Sequence, residues 1–227
     1  MTPAVIDARL LQLCDSAFPS GAFSHSFGLE TAILEREVRD AAGVGAWIEA
    51  YLCRSVATFD ARAIALFIND RASLFELEET LSASLFATDL RAATRRLARA
   101  TLDAYDAMGI ESDAIARYRS SLDAGNAHGH HALACALGYQ TIGASALDAC
   151  CAYLSSTAGM LAAAAARAVP LGQRDAGRLL WSLRAMIGAA AETAAAAQSV
   201  DDLTTSAIDC EIDAMRHSGL DGRMFAS

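Results

Sequence analysis

Lysine is absent from this 227-residue chain, and all 18 of its basic residues are arginine. A phosphate-binding loop of the Walker type needs a lysine, and an enzyme that forms a Schiff base needs an amine nucleophile. The absence therefore argues against both classes. Nucleic acid is also a poor partner, because a net charge of −9 and an isoelectric point near 4.9 disfavour contact with phosphates.

Proline is scarce, with 3 residues, whereas hydrophobic residues make up 54% of the chain and alanine supplies much of that share. This composition favours helix, because alanine loses no side-chain entropy in a helix and proline rarely interrupts one. No stretch alternates apolar and polar residues as a half-buried strand does. The sequence therefore predicts an all-α fold, a single-domain bundle of roughly ten helices.

The six cysteines form no CxxC pair and have no metal-ligand spacing, which is typical of buried thiols in a reducing compartment. Residues 1–13 include Asp7 and Arg9 and lack the apolar core of a signal peptide. The longest weakly charged run, residues 149–166, is rich in small residues and is poor in the Leu, Ile and Phe typical of membrane spans. We expect a cytoplasmic protein without a membrane span.

Apolar periodicity and the breaks between periodic runs predict where the helices lie. A first helix ends near Phe18 at a Pro-Ser-Gly turn, and Gly43 and Gly45 mark a bend. A loop is predicted at residues 120–131, which contain Gly125-Asn126 and Gly129. The other predicted helices begin near Ser24 or Ser26 and cover 47–59, 60–68, 73–86, 89–108, 133–139, 145–169, 174–198 and a segment ending near 217.

Ser24, His25 and Ser26 follow the Pro-Ser-Gly turn and are the first candidates for nucleophilic catalysis. Adjacent residues point in different directions on a helix, and no GxSxG elbow surrounds them. We therefore predict no catalytic residue here. The favoured interpretation is a structural or interface role, with one serine capping the helix that follows.

His128, His130 and His131 lie together in the predicted loop and are weak candidates for a metal site, since imidazole is a common ligand of transition metals. There is no HExxH motif, and the stretch from Gly125 to His131 contains no acidic or cysteine ligand. The alternative is a surface histidine cluster, or one or two histidines that cap the next helix. We favour that alternative and predict no dedicated metal site.

The helix predicted at 89–108 carries four arginines on nearly one face: Arg91, Arg95, Arg96 and Arg99. In an acidic protein such a stripe could meet a carboxylate-rich partner or a phosphate. The alternative is a solvated helix face whose arginines pair with nearby acidic residues, such as Asp103, Asp106 and Glu111. The second interpretation is somewhat favoured.

The C-terminal tail, residues 216–227, combines the apolar residues Leu220, Met224 and Phe225 with two glycines. Two interpretations stand. Either the tail is flexible and a partner covers its apolar side chains on binding, or the tail folds back on its own core. We predict an all-helical domain over residues 1–215 and a flexible, partner-binding C-terminal tail over residues 216–227.

The segment from Leu10 to Glu30, LLQLCDSAFPSGAFSHSFGLE, resembles the UreF family of urease accessory proteins. Two shorter matches follow: Val169-Pro170-Leu171-Gly172-Gln173, and Met215-Arg216-His217 with Arg223, Phe225 and Ser227. The tail departs from the family at Ser218, Asp221 and Ala226. The histidine loop is also richer in histidine than the family requires.

The resemblance implies a non-enzymatic, cofactor-free, typically dimeric scaffold. Such a protein joins UreD (also called UreH) and the GTPase UreG to apo-urease, and couples GTP hydrolysis to nickel insertion. An alternative function is a nickel carrier that uses the loop histidines. The partner-binding residues that the resemblance implies are Phe23, Ser24, His25, Ser26, Glu30, Arg216, His217, Arg223, Phe225 and Ser227.

Overall fold

Helices account for most of residues 7–35 and 38–227, which are the residues that the computed structural model describes, and none of these residues lies in a strand. The all-α prediction is confirmed, and a single hydrophobic core connects the helices. Apart from three 3₁₀ segments and one π-helical segment, the α-helices of the described residues are α1 Ala8–Cys14, α2 Leu29–Leu34, α3 Ala41–Tyr51, α4 Arg62–Ile68, α5 Leu74–Ser84, α6 Thr88–Met108, α7 Asp113–Asp123, α8 His131–Thr141, α9 Ala146–Ala168, α10 Gln173–Ala195 and α11 Ile208–Arg216.

A π-helical segment, Leu52–Ala61, joins α3 to α4 without a break. The predicted bend at Gly43 and Gly45 is therefore wrong, because both glycines lie inside α3. Gly45 instead permits close packing: a Cβ there would come within 2.7 Å of Leu179 Cδ1 on α10. The absent side chain lets the two helices approach each other.

Several helix starts follow from side-chain caps. Ser73 accepts a hydrogen bond from the Glu76 amide, and the Glu76 carboxylate accepts one from the Ser73 amide, which is a reciprocal capping box. Ser145 caps α9 in the same position. Ser112 caps α7, a helix that the sequence analysis missed, so part of the predicted loop at 120–131 is helical as far as Asp123.

The longest helices, α9 and α10, pack against each other as an antiparallel pair, and α6 lies across α8. α9 is long and apolar enough to cross a membrane by length and composition alone, but 56% of its most apolar window is buried inside the protein, as in the core helix of a folded domain. Gly138 on α8 meets Tyr105 of α6 so closely that a Cβ would lie 2.2 Å from the phenol oxygen. The crossing of α6 and α8 therefore depends on a glycine.

Candidate partner-binding surface

The segment after the Pro-Ser-Gly turn forms a single 3₁₀ turn, Ala22–Ser24, is extended at His25, and then turns at Phe27 and Gly28 into α2. The Ser24 hydroxyl donates to the Gly21 carbonyl at 2.9 Å, and α2 begins at Leu29 with Gly28 as its N-cap. The prediction that Ser24 or Ser26 caps this helix is therefore wrong. The N-cap is Gly28, which has no side chain to accept from a helix amide, and the two serine hydroxyls donate to the carbonyl oxygens of Gly21 and Ser227.

Gly28 brings the start of α2 against α11. Its φ is +98°, and a Cβ there would lie 2.8 Å from the Ala214 amide nitrogen and 3.0 Å from the Cys210 carbonyl oxygen. Both the backbone conformation and the space require glycine. The Leu10 to Glu30 motif thus meets the C-terminal helix directly.

The end of the tail pairs with the backbone of the same segment. The Ser227 carbonyl oxygen accepts hydrogen bonds from the Ser26 and Phe27 amides at 2.7 and 3.1 Å, and from the Ser26 hydroxyl at 2.8 Å. The Ser227 hydroxyl shares a 2.8 Å hydrogen bond with His25 Nδ1. His25, Ser26 and Ser227 are all buried, so these bonds form away from solvent.

Glu30 holds the rest of the tail. One carboxylate oxygen accepts from the Met224 amide at 2.6 Å, and the other accepts from the Phe225 amide at 3.2 Å and from His217 Nε2 at 2.9 Å. Glu30 is 3% exposed and His217 is fully buried. Three N–H groups thus compensate a buried carboxylate, as its charge requires.

Asp89 on α6 completes this polar cluster from the outside. Its carboxylate lies 3.5 Å from His217 Nδ1 and 3.4 Å from Arg223.

Burial, with lesser contributions from Arg96 and His217, lowers the pKa of His25 to about 4, so His25 is neutral at physiological pH.

Of the two interpretations of the tail, the structure places it folded back on its own core. Phe225 is buried, with the Arg167 guanidinium 4.5 Å above its ring. Arg216 and Arg223 stay exposed at the surface, where Arg216 pairs with Glu35 at 2.9 Å. Phe23, which is 66% exposed, also faces solvent. Partner binding by the tail stays a prediction.

The sequence analysis missed an apolar surface beside the tail. Ile208, Ile212 and Met215 lie on one exposed face of α11, and Phe86 faces Met215 across a shallow cavity. We call these four residues the α11 surface. Their i, i+4, i+7 spacing on the helix was readable from the sequence, but it resembles a core-facing stripe, because spacing alone does not show which face is covered.

The three loop histidines are not brought together. His128 is exposed, whereas His130 is buried at the N-cap of α8 and His131 lies with Nε2 3.4 Å from Cys135 Sγ. The expected surface cluster is therefore wrong for His130, although that residue does occupy a cap position. Within residues 7–35 and 38–227, no three His, Cys, Asp or Glu side chains are grouped to hold a metal ion.

His130 is held in place by a buried network. Glu78, which is 2% exposed, accepts hydrogen bonds from the Tyr118 hydroxyl and the Gly129 amide at 2.6 Å, and the Tyr118 oxygen accepts from the His130 amide at 2.8 Å. Burial, together with His131 and His128, lowers the pKa of His130 to about 3. The network thus holds the His130 backbone, and the buried, neutral imidazole has no hydrogen-bond partner on either ring nitrogen within the described residues.

His130 also faces an internal cavity of about 90 Å³. Asp60, in the π-helical segment, lines this cavity and a second one of about 60 Å³ on its other side. Burial raises the pKa of Asp60 to about 7, because a carboxylate loses its hydration there. Sequence inspection gave no signal for this, since Asp60 resembled a helix start.

The arginine stripe on α6 divides into two parts. Arg99 pairs with Asp123 at 2.8 Å, as a solvated face would. Arg95 and Arg96 are exposed and form no ion pair within the described part of the chain, and Arg91 contacts only the Phe86 carbonyl, at 3.3 Å. The N-terminal half of the stripe therefore leaves its charges open to a partner.

Comparison with known proteins places these features in a family. A family model described as UreF matches residues 38–184. Proteins named urease accessory protein UreF are similar along nearly their whole length. The relative from Arthrobacter sp. (strain FB24) is 36% identical over 221 residues, covering 96% of both chains. The relative from Paenarthrobacter aurescens (strain TC1) is 33% identical over 224 residues, covering 99% of both chains.

A third relative, from Bacillus sp. (strain TB-90), is 31% identical over 227 residues, covering 96% of this chain and 97% of its own. The family model spans well over half of the chain, and the relatives extend the similarity to the tail and to the Leu10 to Glu30 motif. This chain therefore belongs to the UreF family, as its N-terminal motif suggested.

Proposed function

We propose that this chain is a non-enzymatic scaffold of urease maturation, acting in the cytoplasm as a homodimer. It would join UreD (also called UreH) and the GTPase UreG to apo-urease, and couple GTP hydrolysis to nickel insertion. Nickel is cargo in this proposal, and the chain needs no cofactor of its own. The name urease accessory protein, carried by relatives of nearly equal length, supports the general role.

The α11 surface is the observation that carries the UreD contact. Ile208 is 66% exposed, Phe86 62%, Met215 47% and Ile212 39%. A cluster of exposed large apolar side chains on one helix face is characteristic of a protein interface rather than of a solvated surface. The tail borders it, because His217 and Ser218 follow α11 directly. We therefore assign UreD to the α11 surface together with the exposed side of the tail.

The partner-binding residues implied by the family resemblance divide into two roles in this proposal. Phe23, Arg216 and Arg223 are exposed and can contact a partner. His25, Ser26, Glu30, His217, Phe225 and Ser227 are buried and hold the tail in place, as does the half-buried Ser24, whose carbonyl oxygen accepts from the Ala226 amide. Substitutions in the second group would act on binding indirectly, by releasing the surface that the first group presents.

Co-purification with UreD tests the assignment. An Ile212→Asp variant should fold normally, because the side chain is partly exposed, and should lose UreD. A Leu147→Asp variant is the matched control, since Leu147 is 43% exposed at the start of α9. Retention of UreD by Ile212→Asp, or equal loss in both variants, would contradict the assignment. Point variants are cleaner than deleting the tail, which removes the buried His217 and Phe225.

The role toward UreG can be tested through the arginines. Arg91 and Arg95 are exposed on α6, and Arg223 lies beside Asp89. If one of them supplies charge to the GTP transition state, its alanine variant should lose most of the stimulation of UreG, because such a residue in trans contributes a large rate factor. Stimulation retained in all three variants would leave positioning of UreG's own residues as the mechanism.

A further inference from the structure

The carboxyl of Asp60 lies inside the protein and makes no hydrogen bond or ion pair within the described residues. Its π-helical segment, Leu52–Ala61, packs against α3, α4, α9 and α10, and burial alone raises the pKa of Asp60 to about 7. The part of its side chain that stays accessible borders the two cavities, of about 90 and about 60 Å³. Each is large enough for water, so the hydration of Asp60 depends on both.

The smaller of these cavities, which we call the outer cavity, reaches the α11 surface. Phe86 and Met215, two of the four residues of that surface, line its wall, and both are exposed to solvent. Glu211, one turn before Met215 on α11, lines it as well, and its carboxylate accepts a hydrogen bond from the Thr205 hydroxyl at 2.6 Å. A protein that covers the α11 surface therefore closes the outer cavity over one side of Asp60.

The two cavities offer Asp60 no cation. No arginine of the described residues lines either one, the chain has no lysine, and Arg62, two positions further on, donates to the Asp202 carbonyl instead. Burial lowers the pKa values of His130 and His131, which line the larger cavity, to about 3 and 4, so both are neutral at physiological pH. The other charged groups that line the cavities are carboxylates, Glu211 in the outer cavity and the exposed Asp15 in the larger one.

The remaining ionisable groups around Asp60 are phenols and thiols, and burial raises the pKa of every one of them. They are Tyr51 on α3, Cys135 and Tyr139 on α8, Tyr153 on α9 and Cys210 on α11. All of them keep their protons at physiological pH and stay uncharged. Within the described residues, only a proton can therefore neutralise the Asp60 carboxylate.

Covering the outer cavity makes the ionised form of Asp60 less favourable, because the carboxylate loses hydration that no protein group replaces. The protonated form loses much less. Asp60 therefore has a higher pKa in the covered protein than in the free chain, and covering takes up a proton wherever Asp60 is ionised beforehand. By linkage, the covered state is favoured in full below about pH 6 and loses that advantage as the pH rises through about 7.

We propose that docking of UreD on the α11 surface is coupled to the uptake of a proton by Asp60, so that the affinity for UreD falls as the pH rises. This coupling rests on the proposed binding of UreD to the α11 surface and adds a regulation to that site. Because one of the two cavities stays as it is, we expect the pKa of Asp60 to rise by about 1 on docking, well short of the change of about 3 to 5 for complete burial. A rise of about 1 corresponds to about tenfold in affinity.

Calorimetric titration of the full chain with purified UreD, from about pH 6 to about pH 8.5, tests the coupling. Across this range the dissociation constant of the wild type should rise about five- to tenfold more than that of Asp60→Asn, whose amide is neutral at every pH. The partner's own ionisations cancel, because both titrations use the same UreD. Asp15→Asn is the matched control, since it removes a carboxylate from the larger cavity and should follow the wild type. Equal pH dependence in the wild type and Asp60→Asn would overturn the coupling.

Two measurements locate the proton. Near pH 7.5, titrations in buffers of different ionisation enthalpy should show about half a proton more taken up by the wild type than by Asp60→Asn. In the wild type, the ¹³C resonance of the Asp60 carboxyl, followed against pH by NMR, should give a higher pKa in the complex than in the free chain. A pKa that is unchanged or lower in the complex would overturn the coupling.

The outcomes separate the coupling from the proposed function. If Ile212→Asp retains UreD, or the wild type binds no UreD at any pH, both the docking site and the coupling fail. If UreD binds the α11 surface with the same pH dependence in the wild type and Asp60→Asn, only the coupling fails. Loss of UreD by Asp60→Asn at about pH 6, where the wild type binds, would also overturn it, because the amide should reproduce the protonated acid.

Discussion

Replacing Glu30 with alanine should release the C-terminal tail while leaving the helical core folded. The carboxylate accepts three hydrogen bonds, from the Met224 amide, the Phe225 amide and His217 Nε2, and it is 3% exposed. In the variant those three N–H groups lose their acceptor at a buried site. Their best recourse is water, which reaches them only if the tail detaches.

The magnitude follows from the bonds. A hydrogen bond to a charged group contributes about 1.5 to 3 kcal/mol net, and contributions within one cluster are not additive. If the three hydrogen bonds to Glu30 together contribute about 3 kcal/mol or more, their loss shifts the equilibrium for opening the tail by more than about 100-fold. The remaining bonds of Ser227 to Ser26 and Phe27 do not offset that loss, because they depend on the same docked tail.

Amide hydrogen exchange measured by NMR or mass spectrometry reports this opening directly. The amides of Met224 and Phe225 should exchange more than about 100-fold faster in Glu30→Ala, while amides in α9 and α10 should change much less. Glu35→Ala is the matched control, because Glu35 pairs with Arg216 at 2.9 Å at a partly exposed site and contributes about 1 kcal/mol or less. Unchanged tail exchange in Glu30→Ala, or equal acceleration in Glu35→Ala, would refute the reasoning.

Three further predictions concern the core. Burial raises the pKa of Asp60 to about 7, so the folded protein keeps this proton at pH values where the unfolded chain has lost it, and the stability falls as pH rises from about 4 to 7. Asp60→Asn should therefore raise the free energy of unfolding at pH 8 by about 2 to 4 kcal/mol, measured by urea titration. A variant no more stable than the wild type at pH 8 would contradict this prediction. Burial lowers the pKa values of His25, His130 and His131 to about 4, 3 and 4, so these side chains take up protons on unfolding and stability is lost as pH falls below about 6.5. Near pH 5 the free energy of unfolding should therefore increase with pH. The increase should be about 1.4 kcal/mol per pH unit steeper in Asp60→Asn than in the wild type, because the variant lacks the opposing effect of Asp60. A flat pH profile in the variant would contradict the histidine prediction. Gly138→Ala should lower the melting temperature by at least about 5 °C, since its methyl group would overlap the Tyr105 phenol, whereas the open Gly159→Ala should not.

The secondary structure was largely readable from the sequence where caps and periodicity agree. Ser73 and Ser145 mark helix starts by bonds to amides three residues ahead, and α6 and α9 were predicted within one or two residues. The errors fall where local rules compete with packing. Gly43 and Gly45 resemble a bend but lie within α3, where the close approach of α10 requires the small size of Gly45. α7 was missed because its short polar segment is stabilised mainly by burial of Ile115, Tyr118 and Leu122.

The candidate site was located in the sequence but not assembled there. The Leu10 to Glu30 motif and the tail were both singled out, because their residue order is distinctive. Nothing local indicates that Glu30 reaches Met224, 194 positions away, or that Ser26 bonds to Ser227. The exposed α11 surface escaped attention because an apolar side chain at helical spacing is normally buried.

The sequence by itself determined the helical fold, the absence of a lysine-based active site and the family, since these depend on composition, local propensity and residue order. Only the tertiary structure decided that the tail folds back, that the loop histidines lie apart, and which apolar faces stay uncovered. The physical reason is that hydrogen bonds such as that between His217 and Glu30 join residues distant along the chain. Their partners, and the side of each helix left to solvent, are set by how all the helices pack together.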